Sequence, residues 1–162
     1  MWFRFLAGVA VLAQVSSFGV PNDYRRSYDP AADGTSESLT LRLDPPELNL
    51  QVAIVYSGKR RKAVPHRVEL LISSDRNVIG NARTLELSVA LHTDARAFSC
   101  GSRNARDVTS ANAVALLCTY DEFRTLADAT VASGEAFGIA FSISPERLVA
   151  LHDLADHWAT PE

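Results

Sequence analysis

The stretch Leu48-Asn49-Leu50-Gln51-Val52-Ala53-Ile54 decides the fold class of this chain. Every second residue in it is large and apolar, which is the period of a β-strand that buries one face. The stretch Leu39-Thr40-Leu41-Arg42-Leu43 has the same alternation, and Asp44-Pro45-Pro46 ends it because proline cannot join a strand ladder. The two stretches predict two half-buried strands in succession.

The same alternation recurs outward along the chain. It centres on residues 68–72, 85–91, 114–118 and 137–143, and a shorter piece at 95–100 could form a further strand. The connections between these segments are mostly short and polar, which favours antiparallel pairing. The first two thirds of the chain are therefore predicted to consist mainly of strands.

The hydrophobic period becomes helical twice in the last third of the chain. Thr119 or Asp121 can cap a first helix that ends at Gly134. Its inner face is predicted at helical spacing, on Phe123, Leu126, Ala127, Thr130 and Val131. A second helix should begin at Ser144-Pro145-Glu146 and run to about Trp158. The predicted fold is mostly β with two helices (α+β): an antiparallel β-sandwich-like sheet of about six or seven strands, one helix before the last strand and one C-terminal helix.

Composition indicates a single globular domain preceded by a polar segment. The chain has 162 residues, of which 47% are hydrophobic and 22% charged, with a formal net charge of -3. These values exclude collagen-like, low-complexity and highly charged disordered chains. Residues 18–38 are rich in turn-forming residues and predict a polar flexible arm, in which Tyr24-Arg25-Arg26-Ser27-Tyr28 could dock on a partner or on its own domain. Residues 39–160 predict a single β-rich domain.

Residues 1–17 have the features of a secretory signal peptide. Arg4 is followed by the apolar run 5–13 and then by small residues, and cleavage could follow Ala13 or Ser17. Counted through Val15, a helix formed by that run would cover roughly 16 Å, about half of the hydrocarbon core of a bilayer, which is too short for an anchor. The sequence therefore predicts a secreted or periplasmic protein with no transmembrane anchor after cleavage. The alternative is a cytosolic protein that retains an apolar N-terminal helix.

The chain has two cysteines, Cys100 and Cys118. In an oxidising compartment an even pair predicts a disulfide bond, which would stabilise the fold by about 3 kcal/mol if it acts by restricting the unfolded chain. Two separate buried thiols are the alternative. A nucleophilic role for Cys100 has little support, because no histidine follows it in a recognisable context.

Four consecutive cations are the candidate binding residues: Lys59, Arg60, Arg61 and Lys62. They predict a local positive patch at a loop tip, which would attract phosphate groups or an anionic envelope polymer. A nucleic-acid partner is not expected, since the chain is acidic overall and no aromatic residue is interleaved with the cations. The alternative is a solvated loop that keeps sheet edges from pairing with other chains.

The C-terminal helix carries two histidine–carboxylate pairs at a spacing of four residues: His152 with Asp156, and Asp153 with His157. This spacing could seat a divalent metal, which makes a metal-dependent hydrolase an alternative function. On a helical wheel, however, these residues lie opposite the apolar stripe, where a solvated face is expected. A further ligand would have to come from a distant segment, such as His66 or His92.

The chain lacks the motifs of the common enzyme classes. It has no GxSxG, P-loop, GxGxxG, HExxH, CxxC or EF-hand pattern. The sequence therefore predicts an exported small β-rich binding or scaffold domain of the cell envelope or extracellular space, non-catalytic and without a cofactor. Its partner is expected to be a protein or an anionic envelope polymer. A structural subunit of an envelope assembly, whose arm 18–38 orders on a partner, is a further alternative.

Overall fold

A computed structural model describes residues 23–74, 85–91, 94–98 and 113–162. The described residues form nine strands and two helices: β1 (Asp23–Asp29), β2 (Gly34–Arg42), β3 (Leu48–Ser57), β4 (Arg67–Ser74), β5 (Leu85–Leu91), β6 (Asp94–Phe98), β7 (Ala113–Thr119), α1 (Tyr120–Ala127), β8 (Val131–Ala136), β9 (Ile139–Ile143) and α2 (Pro145–Ala159). The predicted signal peptide, His92 and Cys100 lie outside the described residues.

The strands are arranged in two antiparallel sheets. The first sheet has the order β1-β2-β3-β4-β7 and the second has the order β6-β5-β8-β9. A bridge links the end of β2 to β9, because the N–H groups of Asp44 and Ser142 donate to each other's carbonyls at 3.1 and 2.8 Å. The predicted antiparallel, mostly β fold with two helices is confirmed.

One continuous core joins strands of both sheets to both helices. Alternate residues of β2, β3 and β4 are buried, as the period of two predicts: Leu39, Leu41, Leu48, Leu50, Val52, Ile54, Val68, Leu70 and Ile72. Trp158 of α2 packs on Phe123 of α1, with ring centroids 5.6 Å apart. The indole N–H of Trp158 also reaches Glu37 of β2. The C-terminal end of α2 therefore lies against β2.

The structure corrects the prediction of a flexible arm for residues 23–38. These residues form β1 and the first part of β2, which pair from Asp23 with Thr40 to Asp29 with Gly34. β1 is the edge strand of its sheet, and five of its seven residues are exposed. An edge strand with few buried side chains carries no apolar alternation, so its sequence lacks the pattern that predicts a half-buried strand.

The first helix is shorter than predicted. α1 ends at Ala127, Asp128 is its C-cap, and Val131 already belongs to β8. Phe137 and Gly138 have positive φ angles of 57° and 74°, and they form the tight turn between β8 and β9. Two strands thus follow α1 where the sequence pattern predicts one. A few apolar residues at helical spacing are equally compatible with a short helix followed by a strand, because periodicity does not fix the end of an element.

Candidate functional site: the basic loop and the end of the C-terminal helix

The basic loop, residues 58–66, connects β3 to β4 and is anchored at its start. Gly58 adopts a left-handed conformation with φ of 80°, which glycine accepts without strain. Its N–H donates to the carbonyl of Asp33 at 2.7 Å, and its carbonyl accepts from the hydroxyl of Thr35 at 2.5 Å. The turn between β1 and β2 therefore fixes the point at which the basic loop leaves the sheet.

Arg61 is the buried residue of this loop, with 1% of its surface exposed. Its Nη1 donates to the carbonyls of Trp158 at 2.6 Å and Thr160 at 3.0 Å, and its Nη2 donates to that of His157 at 2.9 Å. The last carbonyls of a helix have no partner within the helix and carry partial negative charge, so a cation stabilises them. The N–H of Glu162 in turn donates to the carbonyl of Arg61 at 2.9 Å. Arg61 thus caps α2.

The predicted set of four binding cations is reduced to three, because Arg61 is committed to α2. Lys59, Arg60 and Lys62 are exposed. The ammonium of Lys59 lies 5.2 Å from the ring centroid of Tyr28, a cation–π contact. Within the described part of the chain, the charged groups of Arg60 and Lys62 make no hydrogen bond or ion pair. The loop therefore presents cations to solvent from a fixed support.

A fully buried carboxylate, that of Glu37, links β2 to the end of α2. Its Oε2 accepts from the indole N–H of Trp158 at 2.7 Å, and its Oε1 accepts from the hydroxyl of Tyr56 at 2.6 Å. Burial raises the pKa of Tyr56 and of Tyr24, and the neighbouring carboxylate of Glu37 adds to the rise. The Nε of Arg26 lies 3.7 Å from Oε1. The buried carboxylate thus has the partners that it requires. We call these five residues the Glu37 network: Glu37, Arg26, Tyr24, Tyr56 and Trp158.

Arg26 extends the Glu37 network to the basic loop and to Glu162. Its Nη1 and Nη2 donate to the two carboxylate oxygens of Glu162 at 2.7 and 2.6 Å, and this pairing lowers the pKa of Glu162. Nη2 also donates to the carbonyl of Lys59 at 2.6 Å. A bidentate arginine–carboxylate pair is among the strongest charged contacts in proteins. It ties β1, the basic loop and the segment after α2 together.

Among the described residues, one group of side chains is of the kinds that can bind a metal ion, and it overlaps the Glu37 network. Ligand atoms of Glu37, His157 and Glu162 lie within 4.8 Å of one another. Arg26 already pairs with both carboxylates, and Trp158 donates to one of them. The guanidinium supplies the positive charge that these carboxylates attract, so the arrangement is an ion-pair network rather than a metal centre.

The predicted metal ligands of α2 are divided between two surroundings. His152 Nδ1 lies 2.9 Å from Asp128 Oδ1, and His152 Nε2 lies 3.5 Å from Asp156 Oδ2. Arg124 pairs with both carboxylates, which raises the pKa of the arginine and lowers that of Asp156. Arg124, Asp128, His152 and Asp156 thus form a closed ring in which basic and acidic side chains alternate, the His152 ring.

His157 faces the other way, with its Nε2 3.7 Å from Oε2 of Glu37. Residues five positions apart on a helix point about 140° apart, which separates His157 from His152. Asp153 is half-buried. Among the described residues, it belongs to no group of three or more potential metal ligands whose ligand atoms lie close together. The structure therefore does not assemble His152, Asp153, Asp156 and His157 into one site.

Cys118 is buried on β7 and is disulfide-bonded. Cys100 lies outside the described residues. The Cys100–Cys118 pairing therefore stays a prediction.

Sequence reasoning missed Glu37, the central residue of the site. The alternation of β2 could have indicated it. Extending the period of two from Leu41 and Leu39 toward the N-terminus places Glu37 and Thr35 on the same buried face. A charged residue on the core face of a strand indicates a paired, buried carboxylate. Its partner Trp158 is 121 residues away in the chain, and no local pattern indicates that contact.

No protein-family model, curated protein sequence or solved structure matches this chain. Among the described residues, no helix is long and apolar enough to cross a bilayer.

Proposed function

We propose that this chain is an exported, non-catalytic binding domain of the cell envelope or extracellular space, and that its basic loop captures an anionic partner. One observation carries the proposal. Arg61 is buried beneath the end of α2, whereas Arg60 and Lys62 on either side of it are exposed and unpaired within the described residues. A loop whose backbone is already fixed loses little conformational entropy when it binds.

The charge balance around the loop supports this function. The chain is acidic overall, with a formal net charge of -3, so the loop is a local exception. The carboxylate of Glu162, which lies near the loop, is balanced by its pairing with Arg26. Lys59, Arg60 and Lys62 are left to attract an external anion, and such attraction is screened by salt.

Retention on immobilised dextran sulfate tests the binding role. The variant Arg60→Gln/Lys62→Gln removes two exposed loop cations and leaves Arg61 in place. Arg25→Gln/Arg42→Gln is the matched control, because it removes two exposed cations on β1 and β2. We expect the loop variant to elute at a clearly lower salt concentration than the wild type, and the control to elute close to the wild type. Equal shifts for both variants would show that overall charge governs retention and would overturn the proposal.

Export is supported by the basic start, apolar run and small residues of segment 1–17. The intact mass of the protein from its native host tests it. Cleavage after Ser17 leaves 162 - 17 = 145 residues. A mass of that size in a fraction outside the cytoplasm is the expected result. A full-length chain in the cytosol would contradict export.

The two alternative functions receive less support from the structure. The assembly subunit requires an arm that orders on a partner, whereas residues 23–29 pair with β2 of their own chain. The metal-dependent hydrolase requires one shared site, whereas His152 and His157 contact different carboxylates.

A further inference from the structure

The exposed part of the basic loop carries apolar residues between its cations. Lys62 is followed by Ala63-Val64-Pro65, in which Ala63 is exposed, Val64 is 38% exposed and Pro65 is half-buried. His66-Arg67 follows directly, and both residues are exposed. The order along the chain is therefore cations, a short apolar tip, and cations again.

A second exposed valine lies at the same end of the molecule. Val55, near the end of β3, is 77% exposed and lines a shallow cleft together with Arg67. Neither valine belongs to the hydrophobic core, and beside the loop cations both add apolar area to the positive surface. Glu69 lines the same cleft and is the acidic residue that opposes the cations there.

We infer that this end of the molecule docks on an anionic phospholipid surface. The inference rests on the proposed function and names the partner of the same loop. Lys59, Arg60 and Lys62 would face headgroup phosphates, and Val64 would enter the interfacial layer of the bilayer. Basic residues near an anionic bilayer add binding energy together with buried apolar area, and this combination is what peripheral membrane segments use.

A lipid surface fits these residues better than a soluble anionic polysaccharide. A polysaccharide chain offers no apolar layer, so Val64 and Val55 would stay in water on binding. Tyr28, an aromatic residue beside the loop, carries the ammonium of Lys59 over its ring, so this face is not open for a sugar ring to stack on. The apolar tip therefore distinguishes the two partners.

Co-sedimentation with phospholipid vesicles tests the inference. The vesicles contain about one third phosphatidylglycerol, and vesicles of phosphatidylcholine alone are the neutral control. We expect binding to the anionic vesicles only, weakened by salt as the Debye length falls from about 10 Å at 0.1 M to about 3 Å at 1 M. Each cation is worth about a fivefold change in affinity, so Arg60→Gln/Lys62→Gln should bind roughly 25-fold more weakly.

Val64→Ser separates lipid insertion from charge attraction. We expect it to weaken vesicle binding by about fivefold, since the apolar side chain would no longer leave water. Val149→Ser is the matched control, because Val149 is 60% exposed on α2 and away from the loop. Equal binding of the two valine variants would overturn the lipid inference.

The remaining outcomes separate the two proposals. Protein that binds dextran sulfate through Arg60 and Lys62 but does not bind anionic vesicles would overturn the lipid inference and leave the proposed function standing. Protein that binds neither probe would overturn both.

Discussion

Two networks of charged side chains involve α2, and each pairs carboxylates with an arginine, but in different surroundings. The Glu37 network joins a carboxylate to Arg26 and Trp158, and its Glu37 is fully buried. The His152 ring joins Asp128 and Asp156 to Arg124 and His152, all partly open to solvent. Burial, more than residue type, decides what a charged contact contributes. When one partner of a buried charge is removed, the remaining buried groups lose a hydrogen bond that water cannot replace. Exposed groups that lose a partner are hydrated instead.

Glu37→Leu should give the largest loss of stability. The substitution leaves the indole N–H of Trp158 and the hydroxyl of Tyr56 without their acceptor inside the protein. We expect the free energy of unfolding to fall by about 4 kcal/mol and the melting temperature by about 10 °C, measured by urea and thermal denaturation. Glu37→Gln keeps an acceptor oxygen and should lose less. A Glu37→Leu protein as stable as the wild type would show that the Glu37 network does not stabilise the fold.

Arg61→Met should have the second largest effect, and Arg60→Met is its matched control. The first variant removes three hydrogen bonds to the end of α2. We expect it to lower the free energy of unfolding by about 3 kcal/mol in urea titrations. Arg60 is exposed, so its replacement should change stability by no more than about 0.5 kcal/mol. Equal losses in the two neighbours would contradict the assignment of one arginine to α2 and the other to solvent.

The sequence predicts the parts of this molecule that depend on neighbours in the chain. β3 and β4 follow from alternation, and α2 follows from its Ser144-Pro145 start. β1 could not be predicted in this way, because an exposed edge strand has no buried face to mark it. Arg61 donates to carbonyls 96 to 99 residues away in the chain, and no local pattern indicates these contacts. The sequence alone therefore places Arg61 on the same exposed surface as Arg60 and Lys62, whereas in the fold it is buried. Long-range pairing is what periodicity and motifs leave undetermined.

His152→Ala should have the smallest effect. The histidine loses contacts to Asp128 and Asp156, but both carboxylates keep Arg124 and remain open to water. We expect the melting temperature to change by no more than about 2 °C. Thermal denaturation with and without equimolar zinc also tests the metal hypothesis. A melting temperature that rises with zinc in the wild type but not in His152→Ala would show that the His152 ring binds metal. Zinc binding elsewhere would raise the melting temperature of both proteins.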